Sequence, residues 1–521
     1  MCYVATGVTI TVLGAALVIV VTTLSYTLVP NLVESVIKSE VRLDKNTEQW
    51  ERFESIPFAL HFSVRIFNIS NKDEVLAGGV PVLNELGPYI YKSYQERIIE
   101  GVDGDEVTYR KRDYMEFDAE ASYPLTLEDQ VTIVNVPYHG ILQMAEMLFP
   151  DLINMMGAAL NGVFGVHNSP IMTVTVGALL FGGIPICANP GFIGGIACNQ
   201  IRPLAADVQN IEEKEDGSLE FTILKYKHDN PSNKYVVSRG VDDVMELGII
   251  RSFNGSAHLN HWPNETDDDG NVVVSQCNML NGTDSGIFPP FVNREKSIYA
   301  FNTDICRSAE LRYDQDVVYN DRIPAIRFSA NEWFLDNHQG CFCLNMTSGI
   351  TRPDGCLYPG VMEMYTCVGA LMVLSYPHFL YADSVYRNGI IGMAPNEEAH
   401  RIFLDLEPNT GTVVRGFKRA QFNIFMRRID AIPATHNLRT TLTPILWIEE
   451  GMELPDDFVD MINDRLLSSL SLVDILIPVL ISICCLVFAL GVVILIYALK
   501  TKKNASRVEQ PHDKNSNWQR H

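Results

Sequence analysis

Between Tyr138 and Ile201 the chain has no lysine and no arginine, and only Glu146 and Asp151 carry charge. Two other stretches lack charge altogether, Tyr3 to Pro30 and Ile475 to Leu499. Also missing are a Gly-x-Ser-x-Gly elbow, a His-Glu-x-x-His helix, a phosphate loop and a dinucleotide fingerprint. These absences remove the usual machinery of hydrolases, zinc proteases and nucleotide-dependent enzymes. No enzyme, catalytic residue, metal or cofactor is therefore expected. The balance of 40 basic against 63 acidic residues leaves a net charge of −23, which argues against nucleic acid as a partner.

Each uncharged terminal run exceeds the ~20 apolar residues needed to cross a bilayer as a helix. The first is too long for a cleaved signal peptide, whose apolar region spans ~7–15 residues, and no basic segment precedes it. It is read as an uncleaved anchor. The expected organisation is a short cytoplasmic segment 1–7, a membrane helix 8–30, a large domain 31–473, a second membrane helix 474–499 and a basic tail 500–521. The tail holds Lys500, Lys502, Lys503, Arg507, Lys514 and Arg520 against Glu509 and Asp513, so the positive-inside tendency places both termini in the cytoplasm. Without the tail, 34 basic and 61 acidic residues remain, a strongly acidic block on the far side. Five glycosylation sequons agree, at Asn68, Asn254, Asn264, Asn281 and Asn345. Asn504 also matches but falls on the cytoplasmic side. The expected location is the plasma membrane, with an endosomal or lysosomal membrane as the alternative.

The cysteines divide by compartment. Cys2 lies at the cytoplasmic edge, where it is a candidate for palmitoylation. Cys484 and Cys485 fall inside the second span as small packing residues. The other eight are Cys187, Cys198, Cys277, Cys306, Cys341, Cys343, Cys356 and Cys367. An even number in an oxidising compartment reads as disulfides rather than a zinc or redox site. Cys341 and Cys343, one residue apart, should have separate partners.

Between the spans, "HFSVRIFNI" alternates Phe62, Val64 and Ile66 with Ser63 and Arg65, predicting a strand with one wet face. "GPYIYKSYQERIIEG" and "DEVTYRKRDYMEF" continue the pattern around a turn at Asp103-Gly104. The cation-free segment is broken by Pro150, Asn154, Asn161, His167, Asn168 and Pro170, and sequons on both flanks demand an even number of crossings. A helical hairpin or bundle with one exposed face fits it better than further membrane spans. The glycine-rich "GGIPICANPGFIGGIAC" is read as a loop closed by Cys187–Cys198. Strands are expected again in "LEFTILKYKH", "KYVVSR", 420–429 and 440–448. "ETDDDGN" resembles a calcium loop at Glu265, Asp267, Asp269 and Gly270, but its twelfth position is Gln276 and a hairpin turn is the better reading. "NEEAH", 396–400, reads as a surface cap on a turn, and His378 as a hydrogen-bonded core histidine.

Several long motifs carry a resemblance that covers essentially the whole chain. They are "CNMLNGTDSGIFPPF" (277–291), "FNTDICRS" (301–308), "CFC" (341–343), "SYPHFLYAD" (375–383), "APNEEAHRIFLDLEPNTG" (394–411) and "LTPILWIEEG" (442–451). Together they resemble the class B scavenger receptors, which include fatty-acid translocase, lysosomal integral membrane proteins and insect sensory neuron membrane proteins. "ILWIEEG" looks closer to arthropod than to vertebrate members. The resemblance implies an α+β fold, with an antiparallel β-barrel-like core, a helical apex, an internal apolar tunnel and one membrane helix at each end. It also implies the pairs Cys277–Cys341, Cys306–Cys367 and Cys343–Cys356, with Cys187 and Cys198 as an extra arthropod loop. Vertebrate scavenging members carry apical lysines suited to anionic particles. The matching region here has none, which favours neutral or single-chain lipid.

The expected function is a cell-surface receptor that captures hydrophobic ligands, such as fatty acids, sterols, carotenoids, lipoprotein lipid or pheromone-like molecules, and passes them to the membrane. Met144, Met147, Leu148, Leu152, Met155, Met156 and Leu160 are the candidate ligand-binding residues of the apex. Expected partners are lipids, lipoproteins or lipid-carrier proteins, and self-association into a homo-oligomer is compatible with this reading. The alternative is a sorting or docking receptor for a protein ligand. The tail lacks acidic di-leucine and Tyr-x-x-hydrophobic signals, which weighs against it.

Overall fold

In the computed structural model of the protein, which describes residues 2–151, 153–336 and 342–508, the alternating segment at 60–69 becomes a strand of a large antiparallel sheet. Across that sheet run Ile250–Phe253, Tyr235–Ser238, Glu106–Phe117, Leu83–Asp103, Leu60–Ile69, Thr441–Glu453, Val413–Met426, Ile402–Leu406, Ile323–Ala330, Arg307–Tyr319 and Ile298–Asn302. Two short strands, Val361–Glu363 and Val373–Ser375, branch from it. Local hairpins build most neighbours, including the turn at Gly104, where φ is +54°. The central pairing of Leu60–Ile69 with Thr441–Glu453 is remote in sequence and joins the two halves.

The outermost strands of this order are joined by one segment. Gly282 O accepts from Ile250 N at 2.9 Å, while Thr283 exchanges bonds with Tyr299 O (3.1 Å) and Phe301 N (2.8 Å). Phe301 also packs on Tyr235 and Phe253 from the opposite edge. The sheet is thereby closed into a barrel-like core, which leaves its edge backbone groups few places to go unpaired. Gly282 has φ +76°, and a Cβ there would overlap the Tyr299 carbonyl. Gly282→Ala should therefore cost on the order of 3 kcal/mol. The sequon at Asn281 survives this change, so a thermal melt of the glycosylated protein checks it; an unaltered midpoint would contradict the closure.

Three sequence expectations need correction. The face of 60–69 read as wet is covered: Ser63 is fully buried and the Arg65 guanidinium lies 4.3 Å over the Trp447 ring. In "LEFTILKYKH" only Leu219–Phe221 is strand, because Lys227 turns inward to ion pairs with Asp304 (2.7 Å) and Glu450 (2.9 Å). The glycine-rich stretch is helix rather than loop from Gly191 to Ala205. Its glycines serve a crossing: a Cβ on Gly194 would sit 2.8 Å from the Gly162 Cα of the neighbouring helix Ile153–Phe164. Cys198 lies within this helix and is bonded to Cys187.

The cation-free segment contributes three helices, Val136–Leu148, Ile153–Phe164 and Gly191–Ala205. Between the second and third lies the strand Ile171–Thr175, paired with Gln130–Val134. Asn135 caps the first helix by accepting from Tyr138 N, and Pro137 occupies its first turn. Glu265–Thr266 and Val272–Val273 form the hairpin expected of "ETDDDGN", with Asp267 accepting from the backbone of Asp269 and Asn271. No group of potential metal ligands occurs among the described residues.

Among the described residues the terminal helices, 2–40 and 456–508, form one compact unit, and residues 41–455 form a second. Both terminal helices are long and apolar enough to cross a membrane. They pack on each other through small residues: a Cβ on Gly7 would lie 2.9 Å from the Leu495 backbone, and one on Gly491 would lie 2.6 Å from Thr11 N. Close backbone approach of this kind is what holds helices together where lipid removes the hydrophobic drive.

Candidate functional site

Three cavities lie in a row inside the unit 41–455, and neighbouring cavities share walls. The first, about 890 Å³ including its open mouth, lies among Val136, Met144, Met156, Ile201, Leu204 and Leu371, and is almost wholly apolar. The second, about 570 Å³, shares Val136, Asn210, Phe221 and Met372 with the first. It shares Asp304, Phe422 and Ile448 with the third, a chamber of about 1560 Å³. Leu311, Phe334, Leu404 and Phe417 give that chamber its apolar wall, while the strands at 93–95 and 111–113 give it a polar one. Two facing walls of unlike polarity suit a ligand with a long chain and a small head.

The polar wall is held by buried ion pairs. Asp284 accepts from Arg97 (Nε 3.1 Å, Nη2 2.9 Å) and from the Tyr109 hydroxyl (2.8 Å), with Lys111 Nζ at 3.0 Å. Burial alone would raise the Asp284 carboxyl, but Arg97 and Lys111 hold it well below the carboxylate range. Lys227 is likewise desolvated yet kept charged, its pKa raised by Asp304 and Glu450. Arg97, Tyr109 and Lys111 come from inward positions of the strands Leu83–Asp103 and Glu106–Phe117, which read as wet-faced in the sequence, while Asp284 and Lys227 come from outside the strands. The signal was there in "YKSYQER", where Ser93, Gln95 and Arg97 alternate with Tyr94 and Glu96, but the pattern cannot say which face points in.

The candidate apex residues separate. Met144 and Met156 line the first cavity. Leu160 is buried in the core, Leu148 is exposed and Met147 is half-buried outside the cavity walls. Leu152 and the side chain of Met155 lie outside the described residues. The helices receive a cation from elsewhere in the chain, because Arg427 pairs with Glu146.

The structure bonds Cys187 to Cys198, Cys306 to Cys367 and Cys343 to Cys356. Cys277 is disulfide-bonded, while Cys341 lies outside the described residues. Asn254, Asn264 and Asn345 are exposed, and Asn68 and Asn281 half-buried. Cys2 starts the first helix, but its side chain is not among those described. Cys484 and Cys485 are free thiols.

The two histidine motifs meet. His378 and His400 stack at 4.6 Å, His378 Nε2 lies 2.6 Å from Glu85, and His378 Nδ1 accepts from Ala394 N. His400, expected on a surface turn, is buried instead, and its Nδ1 accepts from Asn396 N at 3.0 Å. Asn396 does cap that turn. Burial, aided by the His378 charge, lowers the His400 pKa to about 4. His139, fully buried against Pro170 O, is also lowered to about 4 by burial. An unfolded-chain imidazole takes up its proton near ~6.5, so between there and about 4 the unfolded state binds more protons. Stability should therefore fall as pH drops through that window, by on the order of 3 kcal/mol for His139 once pH reaches 4. Urea midpoints at pH 7 and 4.5 check this. His139→Gln should flatten the decline, and a slope equal to wild type would contradict it.

A family model described as the CD36 family matches residues 12–495. The chain belongs to the CD36 family. Among its relatives, sensory neuron membrane protein 2 of Drosophila melanogaster is 32% identical over 86% of this chain and 90% of its own length. The Aedes aegypti protein of the same name is 34% identical, over 84% and 89%. Sensory neuron membrane protein 1 of Pediculus humanus subsp. corporis is 32% identical, over 84% and 82%. Membership of the CD36 family makes this a membrane protein of the scavenger-receptor type, with an apolar helix at each end. Such proteins act as receptors rather than enzymes.

Proposed function

We propose that this CD36-family protein is a plasma-membrane receptor that takes up apolar molecules and delivers them to the bilayer through its row of cavities. The carrying observation is that the three cavities share walls and change from nearly apolar to amphipathic along the row. At ~0.8 kcal/mol per buried CH₂, a sixteen-carbon chain leaving a carrier through water faces a barrier on the order of 10 kcal/mol. A conduit lined like these cavities lowers that barrier without chemical energy. Ligands are long-chain lipids, sterols, carotenoids or pheromone-like molecules, brought free or on lipoproteins and carrier proteins. In this reading both termini are cytoplasmic, the unit 41–455 is extracellular and the five sequons are glycosylated. Cys277 pairs with Cys341, and Cys2 is the acylation site.

Native mass spectrometry of the purified glycoprotein tests the proposal. Non-covalent lipid adducts are expected, together with uptake of labelled lipid above that of untransfected cells. Bare protein and uptake equal to that of untransfected cells would overturn it.

A further inference from the structure

The largest chamber has cations in its wall, and each is engaged. Lys111 gives its protons to Asp284 O (2.8 Å) and the Asp284 carboxylate, Arg419 is 2.6 Å from Glu449, and Lys418 is 3.6 Å from Glu450. Behind the wall, Lys227 is held between Asp304 and Glu450. One acid differs. Asp113 is Gln95's direct cross-strand partner, and its Oδ1 accepts from Gln95 Nε2 at 2.8 Å. Among the described residues its Oδ2 has no hydrogen-bond or ion-pair partner, and Gln95 Nε2 keeps a second proton. Both side chains line the chamber.

We propose that the Gln95–Asp113 pair is a head-group site that reads the hydroxyl of a long-chain alcohol and disfavours the matching carboxylate. A hydroxyl can accept the spare Gln95 proton while donating its own to Asp113 Oδ2, satisfying both in one step. A carboxylate offers no donor, meets no unpaired cation at this end and brings a like charge to Asp113. Burial pushes the Asp113 carboxyl up, against the Gln95 bond and the Lys227 and Lys111 charges that pull it down. A site built to hydrogen-bond a hydroxyl discriminates strongly, because the wrong head leaves buried polar groups unpaired. This inference rests on the chamber binding apolar ligands, the reading proposed above.

The test uses the full glycosylated chain and three tritiated probes of one chain length, hexadecan-1-ol, hexadecanoate and hexadecane, at pH 7.4. Wild type is expected to bind the alcohol at least tenfold more tightly than the carboxylate. Gln95→Leu and Asp113→Leu should each lower alcohol affinity about tenfold and leave hexadecane unchanged, a split that a merely structural role would not give. Equal or tighter hexadecanoate binding, abolished by Lys418→Met, would place the head group at Lys418 and overturn the assignment. Parallel loss of all three probes in the Leu variants would also overturn it. If no probe binds wild type, the conduit reading fails with it; if hexadecane binds without alcohol preference, only the head-group site fails.

Discussion

Asp284→Asn is expected to leave little or no folded protein at the cell surface. The carboxylate is almost fully buried and serves Arg97, Lys111 and Tyr109 at once. Arg97 is itself enclosed, 4.4 Å over the Phe53 ring, and gives its remaining nitrogen to Phe53 O. Removing one negative charge strands two buried cations, which costs about 3–5 kcal/mol. That is a large share of the 5–15 kcal/mol, roughly, by which a domain is stable. Replacing the whole cluster with apolar residues is a different case: Asp284→Leu with Arg97→Met and Lys111→Met should recover much of the loss. Surface glycoform and urea midpoint report both variants, and a wild-type midpoint for Asp284→Asn would contradict the assignment. The pH sign follows from the depressed carboxyl. Its stabilisation is complete above the unfolded value near ~4 and is lost only as pH falls through the lower folded value. Acid weakening between pH 6.5 and 4 therefore belongs to the buried histidines rather than to Asp284.

Met372→Trp is expected to reduce lipid uptake to that of untransfected cells while leaving surface expression intact. Met372 stands in the walls of both the first and second cavities, so added bulk there fills the shared space. Overpacking a dense core costs about 1–3 kcal/mol, but here a void receives much of the ring. Met372→Leu conserves volume and should transport normally. Full uptake by Met372→Trp at matched expression would mean that lipid takes another route.

The apolar ends of the chain were legible because they depend on local composition, whereas the pairs Cys306–Cys367 and Cys343–Cys356 followed from the family resemblance and not from spacing. A run of 25 uncharged residues followed by lysines has few other meanings. Alternation found the strands around 60–117 and those expected at 420–429 and 440–448, which run Val413–Met426 and Thr441–Glu453, since side-chain period 2 is a local property. Orientation was not legible. Ser63 and Arg65 look like a solvent face, yet Ser63 is buried opposite Glu449 and Arg65 meets Trp447 and Glu85, all supplied by other strands. The same holds for Lys227, which a strand pattern places on a surface and the fold places between Asp304 and Glu450. Glycines at 191–195 suggested a loop because propensity disfavours them in helices, and the crossing at Gly162 outweighed that penalty. Of the candidate site, methionines 144 and 156 could be found from the apolar segment, but the chamber could not. Its walls come from strands more than 300 residues apart, and its head-group pair from a hairpin that reads as ordinary.

Photo-crosslinking of a diazirine-bearing long-chain alcohol in expressing cells, mapped by peptide mass spectrometry, tests the conduit most directly. Adducts are expected on peptides from all three walls: 141–145 in the first cavity, 364–368 in the second and 402–417 in the third. Labelling confined to the outer helices and membrane spans, with none on 364–368 or 402–417, would contradict passage through the interior.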